Sequence, residues 1–126
     1  MHELSIAMGL VEAACEKVAE LGPVRVEALH LRLGALSGVV RQALEFSFEL
    51  AAAGTAIEGA RLEIEEVAVT VLCPCCEGER TLESLQHFRC PDCGTPTPTV
   101  VRGRELELTA LEVTDLEVAE NAAAHH

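Results

Sequence analysis

Two pairs of cysteines, each with two residues between its thiols, constrain the fold of this chain more than any other feature. Cys73 and Cys76 form the first pair, Cys90 and Cys93 form the second, and thirteen residues separate the pairs. Two intervening residues let both sulfurs of a pair face one ion from a tight turn. The loop is slightly shorter than is usual for this pattern, but it is long enough for a small hairpin. The spacing therefore predicts a tetrahedral Zn²⁺ site made of four thiolates.

Two other uses of these cysteines stay open at this stage. Iron also accepts four thiolates, because soft sulfur ligands discriminate little between iron and zinc. Disulfides need an oxidising compartment, and the start at Met1 lacks the basic residues of a secretory signal. Zinc is the prediction, with iron and disulfides as the alternatives.

Composition indicates a small soluble protein with an aliphatic core. The chain has 126 residues, three phenylalanines and no tryptophan or tyrosine. That length accommodates one ordinary domain and a small appendage. No apolar run approaches membrane-spanning length. We therefore expect a cytoplasmic protein with no membrane partner.

The charge of the chain argues against nucleic acid as a partner. There are 21 acidic and 9 basic residues, which gives a formal net charge of −12. Phosphate backbones are bound by positive surfaces, and single-stranded bases stack on aromatic side chains. Between Cys73 and Arg104 four acidic and four basic residues cancel, and Phe88 is the stacking residue that this stretch offers. We therefore expect no nucleic-acid binding.

Hydrophobic periodicity predicts two helices and three long strands. The helices cover 5–21 and 40–53, and the strands cover 24–33, 62–71 and 106–113. Each strand pattern changes phase midway, as a bulge, a strong bend or burial of both faces would produce. Two helices on one face of a mostly antiparallel three-stranded sheet is the α+β arrangement that these elements favour.

The cysteine segment then forms a small zinc-ribbon-like domain inserted between two strands of the sheet. The expected boundaries are 1–71 and 102–120 for the α+β domain and 72–101 for the zinc-binding domain. Residues 121–126 lack any periodic pattern, so we expect a disordered tail and assign no function to its paired histidines.

No catalytic constellation stands out, so we predict that the chain is not an enzyme. His30 lies among apolar residues of a predicted strand, which favours a hydrogen-bonded structural role. His87 lies between the two cysteine pairs, each of which forms a tight metal-binding turn or knuckle. Four cysteines already complete a tetrahedron, so we expect His87 at the surface. Cys75 is a spare thiol within the first knuckle, and Cys15 fits a small core residue of the first helix.

The extreme N-terminus is a second candidate metal site. His2 follows Met1 directly, and a bulky second residue disfavours removal of the methionine. The amine of Met1, the amide and imidazole nitrogens of His2, and the amide nitrogen of Glu3 can form fused chelate rings. Planar nitrogen donation of this kind suits Ni(II) or Cu(II), whereas zinc prefers a tetrahedron.

Several stretches in a fixed order resemble the HypA/HybF family of nickel-insertion accessory proteins for [NiFe]-hydrogenase. They are Met1-His2-Glu3, the strand from Arg25 to Gly34, Ala53-Gly54-Thr55, Glu58-Gly59-Ala60, the strand from Leu62 to Glu66, and the two knuckles. The likeness extends from Met1 to about Val113, which is nearly the whole chain. Cys75 departs from the pattern of the family.

The resemblance implies a metallochaperone with two metal sites. It implies transferable nickel on Met1, His2 and Glu3, with His2 the indispensable side chain, and structural zinc on the four knuckle cysteines. It also implies three kinds of partner: the GTPase accessory protein of hydrogenase maturation, the hydrogenase large subunit, and urease accessory proteins in some members. A monomer and a homodimer are both compatible with it.

Two other functions compete with this interpretation. One is a zinc-ribbon module that binds protein or nucleic acid without nickel. The other is an iron-bearing redox protein of the rubredoxin kind, which a colourless zinc-containing preparation would exclude.

Overall fold

A computed structural model describes residues 3–82 and 84–116 of the chain. The elements are α1 (Glu3–Leu21), β1 (Val24–Gly34), α2 (Arg41–Ala52), β2 (Arg61–Val67), β3 (Thr70–Cys73), β4 (Gly78–Thr81), β5 (Thr99–Arg102) and β6 (Leu106–Asp115). The strands form two three-stranded sheets, in the orders β2-β1-β6 and β4-β3-β5. The predicted α+β class is confirmed. The expected tail at 121–126 lies outside the described residues.

Both helices end where the sequence predicted a stop. The chain leaves α1 at Gly22 and α2 near Gly54, and these glycines have φ values of +88° and +76°. Glycine is favoured after a helix because this left-handed conformation is strained for other residues. Neither described helix combines the length and the apolar character that a membrane span requires.

The first sheet contains one antiparallel and one parallel pairing. Leu116 N donates to Pro23 O at 3.0 Å, which brings the end of β6 to the start of β1 and makes this pair antiparallel. Ala35 N donates to Val67 O at 2.9 Å, which joins the points where β1 and β2 end and makes this pair parallel. Here the sheet differs from the mostly antiparallel one predicted, because α2 is a crossover between β1 and β2. In the second sheet, β3 pairs antiparallel with both neighbours.

The phase change predicted in the first strand is present within β1. In the first half of the strand the even-numbered Val26 and Ala28 are buried. In the second half the odd-numbered positions are buried instead: Leu29, Leu31 and Leu33. Because side chains alternate across a strand, such a change requires a local irregularity or burial of both faces. The polar residues between them remain at least partly exposed.

The phase change predicted in the second strand has a different cause, since two strands meet there. β2 ends at Val67 and β3 begins at Thr70. Ile64 packs against a core cluster built from α1, α2 and β1, whereas Val69 and Val71 belong to a separate small cluster. The apolar pattern therefore shifts because the chain passes from one core to another.

The contacts of the chain divide it into two compact units. The first comprises Met1–Leu31, Val39–Ile64 and Leu108–His126, and the second comprises Arg32–Gly38 and Glu65–Glu107. The second unit extends beyond the 72–101 segment that composition sets apart. It does so because flanking backbone joins it: Leu36 N donates to Gly103 O at 2.7 Å, and Leu36 packs against its core cluster. The domain boundaries expected from the sequence, 1–71 with 102–120 and 72–101, stay a prediction.

Gly34 lies at a close backbone crossing within the second unit. An added Cβ there would lie 2.2 Å from Gly103 O, and Gly34 N already donates to Glu105 O at 2.7 Å. Backbone held by hydrogen bonds cannot yield as a flexible side chain does. We therefore expect Gly34→Ala to lower the free energy of unfolding by about 3 kcal/mol, measured by urea denaturation.

Gly9→Ala is the matched control for this substitution. A Cβ at Gly9, an exposed position in α1, would meet nothing within 4 Å. Alanine should stabilise the helix there by up to about 1 kcal/mol. Equal stability of the two variants would contradict the close crossing at Gly34.

Candidate metal centre

The structure brings the four predicted cysteines together in the second unit. The Sγ atoms of Cys73, Cys76, Cys90 and Cys93 all lie within 4.8 Å of one another. Cys73 Sγ lies 3.5 Å from Cys93 Sγ, and Cys76 Sγ lies 3.9 Å from Cys90 Sγ. Thiolates on a tetrahedral zinc ion at about 2.3 Å would be about 3.8 Å apart. The donor set and its dimensions therefore fit one such ion.

The first pair is held in the turn between β3 and β4. Cys73 is the last residue of β3 and pairs with Gly78, the first residue of β4. The chain reverses through Glu77, whose φ is +53°. Cys76 N donates to Cys73 Sγ at 3.3 Å, so the turn places a backbone N–H group where it stabilises a sulfur.

The second pair is held in a turn stabilised by the backbone. Cys90 N donates to Thr95 O at 2.9 Å, and Gly94 N donates to Cys90 O at 2.8 Å. Gly94 has a φ of +76°, a value that favours glycine. The two turns thus present one buried cysteine each, Cys73 and Cys90, and one more accessible cysteine each.

The thiols of the quartet differ in acidity. Hydrogen bonds from Thr95 lower the pKa of Cys93 to about 6. Hydrogen bonds to Cys93 and then to Cys73 raise the pKa of Cys76 to about 12. Without a metal, the neighbours of Cys93 therefore stabilise its ionised form, whereas the neighbours of Cys76 stabilise its protonated form.

An ion pair supports the second turn from β4. Arg80 Nε donates to Asp92 Oδ2 at 2.6 Å, and Arg80 Nη1 donates to Glu79 O at 2.8 Å. The bond to Asp92 is the main reason that the pKa of Arg80 is raised. Asp92 lies between Cys90 and Cys93, so the pair restrains the turn that carries both sulfurs. Sequence reasoning missed this contact, because opposite charges twelve residues apart carry no specific signal.

The spare residues singled out in the sequence lie outside the quartet. Cys75 and His87 are exposed. Cys15 on α1 packs against the core of the first unit. His30 Nε2 lies 3.3 Å from Glu112 Oε2, a partner consistent with the structural role predicted for this histidine.

Of the three predicted nickel residues, Met1 and His2 lie outside the described residues. Glu3 begins α1, and its carboxylate accepts a hydrogen bond of 3.4 Å from Val40 N at the start of α2. Sequence reasoning missed this contact as well. Of the three residues of the predicted nickel site, the structure therefore describes Glu3 alone.

The fold and the site define a class: small α+β proteins with a second unit in which four cysteines could hold a metal ion. Residues 1–113 match the model of the HypA family, described as hydrogenase/urease nickel incorporation metallochaperones. The chain belongs to the HypA family. The resemblance found in the sequence is confirmed.

Individual relatives agree with this assignment. The hydrogenase maturation factor HypA of Roseiflexus sp. (strain RS-1) is 56% identical over 115 residues, 91% of this chain and 94% of the relative. That of Chloroflexus aurantiacus (strain ATCC 29366 / DSM 635 / J-10-fl) is 56% identical over 112 residues, 89% of this chain and 98% of the relative. The solution structure of the Ni metallochaperone HypA from Helicobacter pylori has a TM-score of 0.60 at 24% identity, covering 89% of this chain and 97% of that one. The structural likeness supports the fold.

Proposed function

We propose that this chain binds Ni(II) at its N-terminus and delivers it during maturation of [NiFe]-hydrogenase. The observation that carries the proposal is the family match, which begins at residue 1 and therefore includes the candidate chelate. The amine of Met1, the amide and imidazole of His2, and the amide of Glu3 offer four nitrogens. Such a set favours planar Ni(II) over tetrahedral zinc.

The cysteine quartet would hold Zn²⁺ in a structural role. Four protein thiolates leave no open coordination position for substrate, which is typical of structural zinc sites. The hydrophobic core of the second unit is also small. Among the described residues its core cluster has three buried members, Val69, Val71 and Leu82. Zinc would supply the cross-link that this small core lacks.

Delivery requires a site that selects nickel and still releases it. Ligands on the first residues of a chain can be replaced one at a time by those of an acceptor. Amide nitrogens bind nickel when deprotonated and imidazole binds when neutral, so acid should weaken binding. The partners we propose are the GTPase accessory protein, the hydrogenase large subunit and, as further clients, urease accessory proteins, all in the cytoplasm.

An extension of three residues before Met1 tests the proposed ligand set. A single added residue would not serve, because it places His2 third from the new amine, where that amine, two amides and the imidazole again form a four-nitrogen chelate for Ni(II). The extension turns the Met1 nitrogen into an amide and moves the free amine away from His2. We expect stoichiometric nickel binding, measured by calorimetry, to weaken by at least about tenfold, while zinc content stays unchanged. The control is the same three residues added at the C-terminus. Undiminished affinity in the N-terminally extended chain would exclude the Met1 nitrogen as a ligand.

A further inference from the structure

The outer surface of the two helices exposes large apolar side chains. On α2, Phe46 is 64% exposed, and Leu50, one turn later, is exposed as well. On α1, Met8 is 58% exposed, and Leu4, one turn earlier, is exposed as well. Single apolar side chains on a surface need no explanation, whereas a contiguous group of them is typical of an interaction site. The way each helix faces decides whether these four residues form one surface.

The side of α1 that carries Leu4 and Met8 faces α2. Ala13, Lys17 and Leu21 line a cavity against β6, so their side of α1 is turned towards the edge strand of the sheet. Successive helical residues are rotated by about 100°, which places Leu4 and Met8 on nearly the opposite side. The two helices pack against each other within the first unit. Leu4 and Met8 therefore border the line where the helices meet.

Phe46 and Leu50 lie on the side of α2 that is turned away from the core. Phe48 is buried in the core of the first unit, and Glu45 and Glu49 line a cavity against the start of β2. By the same rotation, Phe46 and Leu50 occupy the outward side of α2 and the side towards α1. The exposed apolar residues of both helices thus border one groove. We call this surface the helical patch, and its members are Leu4, Met8, Phe46 and Leu50.

Acidic side chains border the helical patch on both helices. Glu12 and Glu16 flank it on α1, Glu49 flanks it on α2, and all three are exposed. Arg41, the basic residue of α2, lies 3.3 Å from Glu45, so these two charges cancel. The helical patch is therefore an apolar strip between negative borders.

This charge decides between the possible occupants of the helical patch. A second copy of the chain would bring acidic borders against acidic borders, and like charges at an interface are unfavourable. Anionic lipid surfaces are repelled for the same reason, which the formal net charge of −12 reinforces. A partner with basic side chains beside apolar ones matches both features of the surface. A third helix is the element that fits a groove between two packed helices.

We propose that the helical patch is a docking site for a partner protein that presents a basic amphipathic helix. The apolar face of that helix buries Phe46 and Leu50, since large side chains at the centre of an interface contribute most of its binding energy. Lysine or arginine along its edges lies against Glu12, Glu16 and Glu49, which favours association and register. The site uses no metal, so this proposal goes beyond the proposed function and stands independently of it.

Two designed helical peptides of about 18 residues serve as the probes. Both carry leucine along one face, and the edges of that face carry lysine in one peptide and glutamate in the other. Calorimetry without nickel measures the binding of each peptide. Phe46→Gln removes an apolar anchor, and Glu12→Lys combined with Glu49→Lys reverses the charge of the borders. Leu85→Gln is the matched control, because Leu85 is an exposed apolar residue of the second unit. Amide exchange in α1 and α2 checks that each variant is folded.

We expect the parent chain to bind the lysine peptide at least about tenfold more tightly than the glutamate peptide. Phe46→Gln should bind the lysine peptide about tenfold more weakly, Leu85→Gln should bind it as the parent does, and the charge-reversed variant should prefer the glutamate peptide. Equal binding of both peptides by the parent chain, or unchanged affinity in Phe46→Gln, would overturn the proposal.

Two further measurements test the other occupants. Sedimentation of the parent chain and of Phe46→Gln tests a second copy, and a dimer that this substitution dissociates would overturn the proposal. Flotation with vesicles of phosphatidylcholine and phosphatidylglycerol tests a membrane, and vesicle binding that is lost in Phe46→Gln would also overturn it. A monomeric parent chain that stays off the vesicles supports docking of a basic helix.

Discussion

Replacement of His2 by alanine is expected to abolish specific nickel binding. The substitution removes the imidazole nitrogen and the chelate ring that joins it to the His2 amide. The Met1 amine and the amides of residues 2 and 3 then fill three corners of the square plane, and no imidazole nitrogen fills the fourth. Changes that merely reorient a ligand weaken metal sites by roughly 10–100-fold, so loss of a ligand should exceed about a hundredfold.

Calorimetry with nickel, combined with metal analysis, measures this result. Zinc content and the folded state should stay unchanged, because the cysteine quartet lies in the other unit. His87→Ala is the matched control, since His87 is exposed and lies outside the quartet. Retention of stoichiometric, high-affinity nickel binding in His2→Ala would refute the N-terminal assignment.

Removal of zinc is expected to unfold the second unit. Structural zinc contributes about 10 kcal/mol or more to the folding of small metal-binding domains. The core cluster of this unit has three buried members among the described residues, which cannot replace that contribution. Cys90→Ser should therefore abolish zinc binding, because Cys90 is 2% exposed and its sulfur lies inside the quartet.

Amide exchange along β3, β4 and β5 measures this loss residue by residue. In Cys90→Ser, protection should disappear from these strands and persist in α1 and α2. Cys75→Ser is the control, since Cys75 is exposed and outside the quartet. If protection of β3 survived in metal-free Cys90→Ser, zinc would be dispensable for the fold.

Zinc binding should also weaken as the pH falls. The pKa of Cys93 is lowered to about 6, so this thiol is already ionised at neutral pH. The pKa of Cys76 is raised to about 12, so zinc must displace its proton. Binding therefore releases protons, and acid opposes it. A zinc titration at two pH values in weakly buffered solution would detect the released protons.

Local patterns in the chain did not predict β4 and β5. They did predict the two helices, β1, β6, one strand over 62–71 that the structure divides into β2 and β3, and the meeting of the cysteines. These features depend on neighbours close in sequence. Helical spacing located α1 and α2 to within about two residues. The glycines after each helix were recognisable for the same reason, since the need for positive φ is local. The phase changes indicated that the strands are irregular. The change near Val67, however, arises because one strand ends there and another begins, and not from a bulge or bend within a single strand.

The sequence by itself determined which four cysteines come together as candidate metal ligands, because ligand chemistry belongs to the side chains and their spacing. Tertiary structure alone decided how those residues are supported. The crossover that makes β1 and β2 parallel, the approach of Gly34 to Gly103, and the hydrogen bond from Val40 to Glu3 each join residues distant in the chain. No periodicity encodes such pairs, since they form when separate elements pack. Close packing then leaves room for a hydrogen at Gly34 and brings a carboxylate to the start of α2.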